Sequence, residues 1–168
     1  MKLLIAYASK SGTAKMAAEA LAAALPNHTV TLADLAATQP DPAAFDYAVV
    51  GGSIRMGKAY KPLRRYLAAH GAALAAEPHS LFLCCAFADQ LEHYAAITYP
   101  ADLRESAEHF VYFGGELNVA RQKGIDRLLT RMMRNAIQND EDGELTMPGY
   151  LPEHVRTLAD ALRKKVKT

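Results

Sequence analysis

The residues best suited to chemistry in this sequence lie in a short, hydroxyl-rich turn, Ser9-Lys10-Ser11-Gly12-Thr13. An apolar run ends there and an alanine-rich helical pattern begins, so the turn coincides with a helix N-terminus, where backbone amides lack partners within the helix. The three hydroxyl groups and the amides around Gly12 suit a phosphate monoester, and Lys10 adds positive charge. The alternative is that Ser11 only caps the helix and Gly12 only permits the turn.

The elements that must position this turn alternate between strands and helices. Strands are predicted at Lys2–Ala8, Thr29–Ala33, Asp46–Gly51, Ser80–Ala86 and His109–Gly114, and helices at Gly12–Leu25, Pro62–His70, Ala101–Ser106, Gly124–Ile137 and Pro152–Val166. Such alternation predicts an α/β fold with a parallel sheet covered on both faces. Ligands bind such sheets beyond the carboxyl ends of the strands. Three loops are expected there: Ser9–Ala14, Gly52–Tyr60 and Phe87–Tyr99.

Composition limits the classes of function. The chain has 168 residues and is expected to form one domain over residues 1–168. Its 19 basic and 18 acidic residues give a formal charge of +1, so no bulk attraction to nucleic acid is expected. The only cysteines, Cys84 and Cys85, are adjacent in an apolar run, which favours core residues in a reduced, cytoplasmic setting. No metal-ligand spacing, GxGxxG fingerprint or P-loop motif is present, and no signal peptide is expected, because the opening Met1–Ala6 is too short for one.

The first loop resembles the phosphate loop of flavodoxins, which runs [ST]-x-[ST]-G-x-[ST] directly after the first strand. Ser9-Lys10-Ser11-Gly12-Thr13-Ala14 follows that pattern except at Ala14, where the family usually has a last hydroxyl. The resemblance implies a three-layer flavodoxin-like sandwich with a five-stranded parallel sheet in the order 2-1-3-4-5. It also implies FMN as the cofactor, with its phosphate at residues 9–14.

The second loop resembles one branch of the flavodoxin-like family, the menaquinone-dependent protoporphyrinogen dehydrogenases of bacterial haem synthesis. The stretch Gly51–Gly57 matches their G-x-S-I-R-x-G pattern. The resemblance implies that Ser53 and the amides near Ile54 and Arg55 meet the polar edge of the flavin, with Ile54 or Met56 against its face and Gly57 completing the turn. A cation such as Arg55 would favour the anionic reduced flavin. The alternative is that Arg55 is a solvated surface residue.

The third loop is compatible with the expanded loop of the same branch. Its start, Ala86, Phe87 and Ala88, is expected to complete the cofactor site. Tyr94 or Tyr99 is expected to shield the outer face of the flavin, if it is not simply packed. No side chain is predicted as a catalytic acid or base, because the flavin would carry the chemistry.

A cationic helical pattern follows the last strand. Arg127, Arg131 and Arg134 share one face of the predicted helix, and an apolar stripe forms another. The dehydrogenase branch has an insertion here with a similar D-R-x-x-x-[KR]-x-M pattern. The arginines are expected to bind an anionic membrane or the propionates of a tetrapyrrole. The alternative is a helix that packs on the core and leaves its basic face in solvent.

The leading hypothesis is therefore an FMN-dependent oxidoreductase resembling quinone-dependent protoporphyrinogen IX dehydrogenase. Its expected partners are a porphyrinogen and a quinone, in the cytoplasm, with peripheral contact at the inner face of the membrane allowed. The main alternative is a flavodoxin-type electron-transfer protein, and a third is an interaction protein that has lost its cofactor. Positive charge in the second loop and the following helix weakens the electron-transfer alternative, because flavodoxins are usually acidic around the flavin. The cations are Arg55, Lys58, Lys61, Arg64 and Arg65.

Overall fold

The computed structural model describes residues 1–115, 128, 131, 132, 134, 135, 138, 139 and 149–165. Strands and helices alternate along them. The strands are β1 (Lys2–Ala8), β2 (Thr29–Asp34), β3 (Tyr47–Arg55), β4 (Lys58–Ala59), β5 (His79–Cys84) and β6 (His109–Tyr112). The helices are α1 (Thr13–Ala23), α2 (Lys61–Ala76), α3 (Leu91–Thr98), α4 (Ala101–Ser106) and α5 (Pro152–Lys164), with short 3₁₀ turns at Pro42–Ala44 and Ala88–Gln90.

The sheet has the strand order β2-β1-β3-β5-β6, and each neighbouring pair in that order is parallel. The two-residue strand β4 lies outside this order and pairs only with β3, in antiparallel fashion. Without β4, the order is the five-stranded 2-1-3-4-5 arrangement expected from the sequence. The predicted flavodoxin-like fold class is therefore confirmed.

Two apolar clusters cover the two faces of the sheet, and β1 contributes to both. Leu3, Ile5 and Tyr7 belong to the cluster that contains α1 and α5 residues. The intervening Leu4, Ala6 and Ala8 belong to the other cluster, with residues of α2, α3 and α4. Successive side chains of a strand point to opposite faces, so a central strand of a three-layer fold must be apolar throughout. This requirement explains the uninterrupted apolar run before the hydroxyl-rich turn.

Two of the expected loops contain regular structure instead. β3 continues past Gly51 to Arg55, because its last two residues pair with Lys58 and Ala59 of β4. The segment Phe87–Tyr99 contains a 3₁₀ turn and the helix α3. The predicted helix Gly124–Ile137 lies largely outside the described residues.

Candidate cofactor site

The three segments predicted to form a site meet at one edge of the sheet. β1 and β3 are neighbours, with Ala8 opposite Gly52, and β3 and β5 are neighbours, with Ser53 opposite Cys84. All three strands are parallel, so the chain leaves each of them on the same side. The segments that begin at Ser9, Ile54 and Cys85 are therefore adjacent.

The hydroxyl-rich turn leaves the start of α1 without a side-chain cap. Gly12 occupies the N-cap position in a left-handed conformation, with φ at 97°, and its N–H donates to Ser9 Oγ at 3.1 Å. The first amide bonded within the helix is that of Met16, to the carbonyl of Gly12. Ser11 makes no hydrogen bond among the described residues, so the alternative that it merely caps the helix is wrong. The first amides of α1 remain available to an anion.

The six predicted residues of this turn do not contribute equally. Ser9, Ser11 and Gly12 are half-buried and Lys10 is exposed, whereas Thr13 and Ala14 are buried. Ala14 belongs to the apolar cluster beneath α1. A hydroxyl at that position would therefore lie in the core, and Ala14 can offer an anion only its backbone amide.

Ser53 presents a buried hydroxyl without a partner at the end of β3. Its side chain is 8% exposed, and its Oγ has no hydrogen-bond partner among the described residues. Buried hydroxyls are ordinarily paired, because desolvation without a compensating bond is costly. A ligand with a polar edge at this position would supply the missing partner.

The predicted residues after Ser53 form a tight hairpin rather than an open loop. Ile54 and Arg55 are half-buried, and Met56 and Gly57 form the two-residue connection to β4. Both have positive φ, at 48° for Met56 and 75° for Gly57, as the hairpin turn called type I′ requires. Met56 is 75% exposed despite its disfavoured conformation. A large apolar side chain is thereby held at the outer rim of the candidate site.

The structure of the third segment agrees with only part of what was predicted for it. Ala86 and Phe87 are half-buried and Ala88 is exposed, so they lie at the sheet edge as expected. Tyr94 is half-buried and packs against the apolar cluster. The prediction for Tyr99 is wrong, because its side chain is 1% exposed and its hydroxyl donates to the Phe82 carbonyl at 2.7 Å. Tyr99 is thus committed to the core between strands and cannot shield a flavin.

The two cysteines behave as core residues. Cys84 and Cys85 are both buried and both are free thiols. Burial raises the pKa of the Cys85 thiol to about 11, and burial also raises the pKa of Cys84. Neither thiol is therefore appreciably ionised near neutral pH, as a nucleophilic or redox-active cysteine would need to be.

A glycine pair after β6 belongs to the same edge of the sheet and was not predicted as part of the site. Gly114 has φ at 80°, and a Cβ on Gly115 would lie 2.1 Å from the carbonyl oxygen of Cys85. The Tyr112 hydroxyl donates to the same carbonyl at 2.8 Å. The only indication in the sequence that this position belongs to the site was a pair of glycines directly after a strand.

Two stretches that are distant in the chain meet at this edge. The Gly115 N–H donates to the Gly149 carbonyl at 3.0 Å, and Gly114 pairs with Tyr150 in an antiparallel bridge. The described residues on either side of 116–148 therefore lie together at the carboxyl edge of the sheet, with Gly115 beside Cys85.

The predicted basic helix falls within residues 116–148. Arg127 lies outside the described residues, whereas Arg131 and Arg134 are helical and exposed. Leu128 and Met132, one turn apart on the predicted apolar stripe, are 59% and 60% exposed. The alternative that this stripe packs on the core is therefore wrong for these two residues.

Among the described residues, no helix has the length and apolar character that a membrane span requires. The His, Cys, Asp and Glu side chains of the same residues form no group of three placed to hold a metal ion.

Solved structures share the fold of this chain at low sequence identity. The flavodoxin, WrbA-like protein from Agrobacterium tumefaciens aligns with a TM-score of 0.50 and 15% identity, over 80% of this chain and 96% of that one. Rubredoxin oxygen:oxidoreductase from Desulfovibrio gigas aligns with a TM-score of 0.55 and 13% identity, over 99% of this chain and 37% of that one. Oxidised flavodoxin 1 from Bacillus cereus aligns with a TM-score of 0.46 and 14% identity, over 83% and 99% of the two chains. At these identities the likeness shows the fold alone.

The family follows from the sequence. The flavodoxin domain model matches residues 4–143, and the chain belongs to that family. No curated protein matches it significantly. Membership supports FMN as the cofactor. The uncapped start of α1 and the unpartnered Ser53 hydroxyl fit a phosphate and a polar ring edge, respectively.

Proposed function

We propose that this chain is an FMN-dependent oxidoreductase of the protoporphyrinogen dehydrogenase type, which oxidises a porphyrinogen and reduces a quinone. The observation that carries the flavin assignment is the unpartnered, buried hydroxyl of Ser53 beside the uncapped N-terminus of α1. The Ser53-Ile54-Arg55 stretch and the basic helix, through their resemblance to the dehydrogenase branch, carry the assignment of the reaction.

Each part of the site has a role in this proposal. The first amides of α1, with the Ser9 and Ser11 hydroxyls, bind the phosphate, and Ser53 orients the ring by a hydrogen bond to its polar edge. Arg55 places positive charge near the ring. FMN held there would supply two-electron redox chemistry between the porphyrinogen and the quinone.

Substrate and membrane contact fall to the segment 116–148. It follows Gly115 in the chain, and Gly115 lies beside Cys85, next to the third segment of the site. Arg131 and Arg134 offer charge to substrate carboxylates or to anionic lipid, and the exposed Leu128 and Met132 offer apolar surface. A helix that carries both kinds of side chain suits a membrane interface.

The decisive test is anaerobic mixing of the FMN-loaded protein with protoporphyrinogen, followed by the loss of flavin absorbance. The triple variant Arg127→Gln, Arg131→Gln and Arg134→Gln should keep FMN affinity, since none of its residues lies in the three cofactor segments. It should lose most quinone-coupled oxidation and most binding to anionic liposomes, because each near-surface charge contributes about 1 kcal/mol at such a membrane.

Arg156→Gln is the matched control, because Arg156 is an exposed arginine of α5 outside this segment. It should leave flavin bleaching, quinone reduction and liposome binding at wild-type levels. The dehydrogenase assignment is overturned if protoporphyrinogen fails to bleach the flavin, or if the triple variant retains both activities.

A flavodoxin-type electron-transfer protein is the second candidate. The observation that favours it is the burial of Tyr99, which removes one of the two aromatic side chains expected over the flavin. A large planar substrate would then have less stacking surface. This candidate predicts FMN binding and one-electron exchange with a protein carrier, but no bleaching by protoporphyrinogen.

A further inference from the structure

One surface beside the candidate site carries a concentration of positive charge. Residues 47–76 contain five Lys or Arg and no Asp or Glu, although the whole chain has 19 basic and 18 acidic residues. The rest of the chain therefore has more acidic than basic residues. Four exposed cations of this segment, which we call the basic face, lie on β4 and the first turns of α2. They are Lys58, Lys61, Arg64 and Arg65.

The basic face adjoins the site through the hairpin. The Tyr60 N–H donates to the Ser53 carbonyl at 3.0 Å, and α2 begins at the next residue, Lys61. The exposed Met56 forms the tip of the same hairpin. Any molecule seated on the basic face would therefore also border the end of β3 that carries Ser53.

Within the described residues, three of these cations, Lys58, Lys61 and Arg65, form no ion pair or hydrogen bond that would stabilise the fold. No ion pair joins any of the four to an acidic side chain in the described part of the chain; Arg64 alone has a hydrogen bond, from Nε to the Ala59 carbonyl at 3.1 Å. Lys61 and Arg64 lie in the first turn of α2, which contains no acidic residue. A helix N-terminus is the positive end of the helix dipole, so cations there are unfavourable. Their charge is more readily explained by a partner.

We propose that the basic face docks an acidic protein partner beside the cofactor edge. The large apolar residues of α2, Leu63, Tyr66, Leu67 and Leu74, are buried in the protein, and the apolar residues on its exposed side are alanines. The exposed side of α2 therefore lacks the broad apolar stripe with which an amphipathic helix enters a lipid surface. Charge complementarity with carboxylates steers protein association, and the adaptable Met56 side chain suits the centre of such a contact.

The test measures complex formation with a plant-type ferredoxin, an acidic protein, as the probe, and with cytochrome c, a basic protein, as the comparison. At about 20 mM ionic strength the ferredoxin should bind, and its affinity should fall about tenfold or more by about 200 mM, because exposed charges are then screened. Cytochrome c should bind far more weakly. The measurement uses the protein with and without FMN, so loss of cofactor binding and loss of docking are separate results.

The variant Lys58→Glu, Lys61→Glu, Arg65→Glu reverses three cations and leaves the Arg64 hydrogen bond in place. It should weaken ferredoxin binding at least about tenfold at low salt. Its melting temperature should hold or rise, because Lys61→Glu places an acid in the first turn of α2. Lys164→Glu, on α5 in the opposite layer, is the matched control and should bind like the wild type.

Three outcomes would overturn the proposal. Equal ferredoxin binding by the wild type and the triple variant would show that the basic face is not the docking surface. A lower melting temperature of the variant would show that the cations support the fold. Binding to phosphatidylserine vesicles that the variant abolishes, without ferredoxin binding, would assign the surface to lipid.

Discussion

At the scale of single residues, the Ser53 hydroxyl is expected to serve ligand binding and not the stability of the fold. Its buried hydroxyl has no partner among the described residues, so the protein without ligand bears a desolvation cost. Ser80 is also buried, but its hydroxyl lies 2.7 Å from the Tyr47 hydroxyl. The same substitution should therefore have opposite consequences at these two serines of neighbouring strands.

We expect Ser53→Ala to weaken FMN binding about three- to tenfold, or about 0.7–1.4 kcal/mol, the net contribution of one hydrogen bond. The stability of the cofactor-free protein should stay the same or rise slightly. Ser80→Ala is the control, and it should lower stability by about 1 kcal/mol while leaving FMN affinity unchanged. Titration calorimetry and urea unfolding of both variants would measure this, and unaltered FMN affinity in Ser53→Ala would remove Ser53 from the site.

At the scale of elements, the turn between β1 and α1 depends on one backbone conformation. Gly12 has φ at 97°, a region that β-branched residues rarely adopt. Gly12→Val should reorient the first amides of α1 and weaken FMN binding at least about tenfold, or roughly 1.4 kcal/mol. Gly12→Asn should retain most of the affinity, because asparagine tolerates the left-handed region.

Gly71→Val provides a matched control for this substitution. Gly71 lies within α2, and a Cβ there would meet nothing within 4 Å. Calorimetric titration of the three variants, with circular dichroism to show that each is folded, would test the prediction. A folded Gly12→Val protein with wild-type affinity for FMN would contradict the phosphate site.

The boundaries of the elements also show which helices and strands the sequence patterns could predict. β1 and α4 have the predicted boundaries, because β1 is one uninterrupted apolar run and Pro100 fixes the start of α4. The hairpin after β3 was missed, because Met56-Gly57 lacks the Asn or Asp that ordinarily indicates a type I′ turn. α3 was missed because eight residues are too few to show a clear helical period.

Burial at the candidate site was the least predictable feature. The glycine in the first loop indicated its left-handed conformation, so Gly12 could be found from the sequence. The commitment of Ala14 and Tyr99 to the core depends on packing between elements distant in the chain, such as the bond from the Tyr99 hydroxyl to Phe82. No local pattern distinguishes such a tyrosine from one that faces a ligand.

At the scale of the whole molecule, the structure concentrates its departures from a plain sheet at one edge. The hairpin around Met56, the helix α3 and the glycine pair Gly114 and Gly115 all follow carboxyl ends of strands. Ala59 of the hairpin and Ala95 of α3 belong to one of the two apolar clusters, whereas Gly12, Ser53 and Met56 belong to neither. Changes at these last three positions should therefore affect binding more than folding, as the paired variants above assume.

The buried core predicts how stability should change in alkali. Burial raises the pKa of Tyr47 to about 12 and of Cys85 to about 11, and it also raises the pKa of Tyr66, Tyr99 and Tyr112. A raised pKa in the folded state means that the neutral form is favoured there. Its contribution is complete below the unfolded pKa, near 10 for tyrosine, and is lost as the pH rises toward the folded value.

The free energy of unfolding should accordingly be constant from about pH 7 to about pH 8.5. It should begin to fall as the thiols ionise in the unfolded chain, and it should fall steeply above about pH 10. Each such group contributes a slope of about 1.4 kcal/mol per pH unit between its unfolded and folded pKa values. Urea unfolding at a series of pH values would measure the slope. The double variant Tyr47→Phe, Ser80→Ala removes one of these tyrosines together with the partner of its hydroxyl. Its slope above about pH 10 should therefore be shallower by about 1.4 kcal/mol per pH unit, the contribution of one group. Equal slopes in the two proteins would contradict the burial of the Tyr47 hydroxyl in the core.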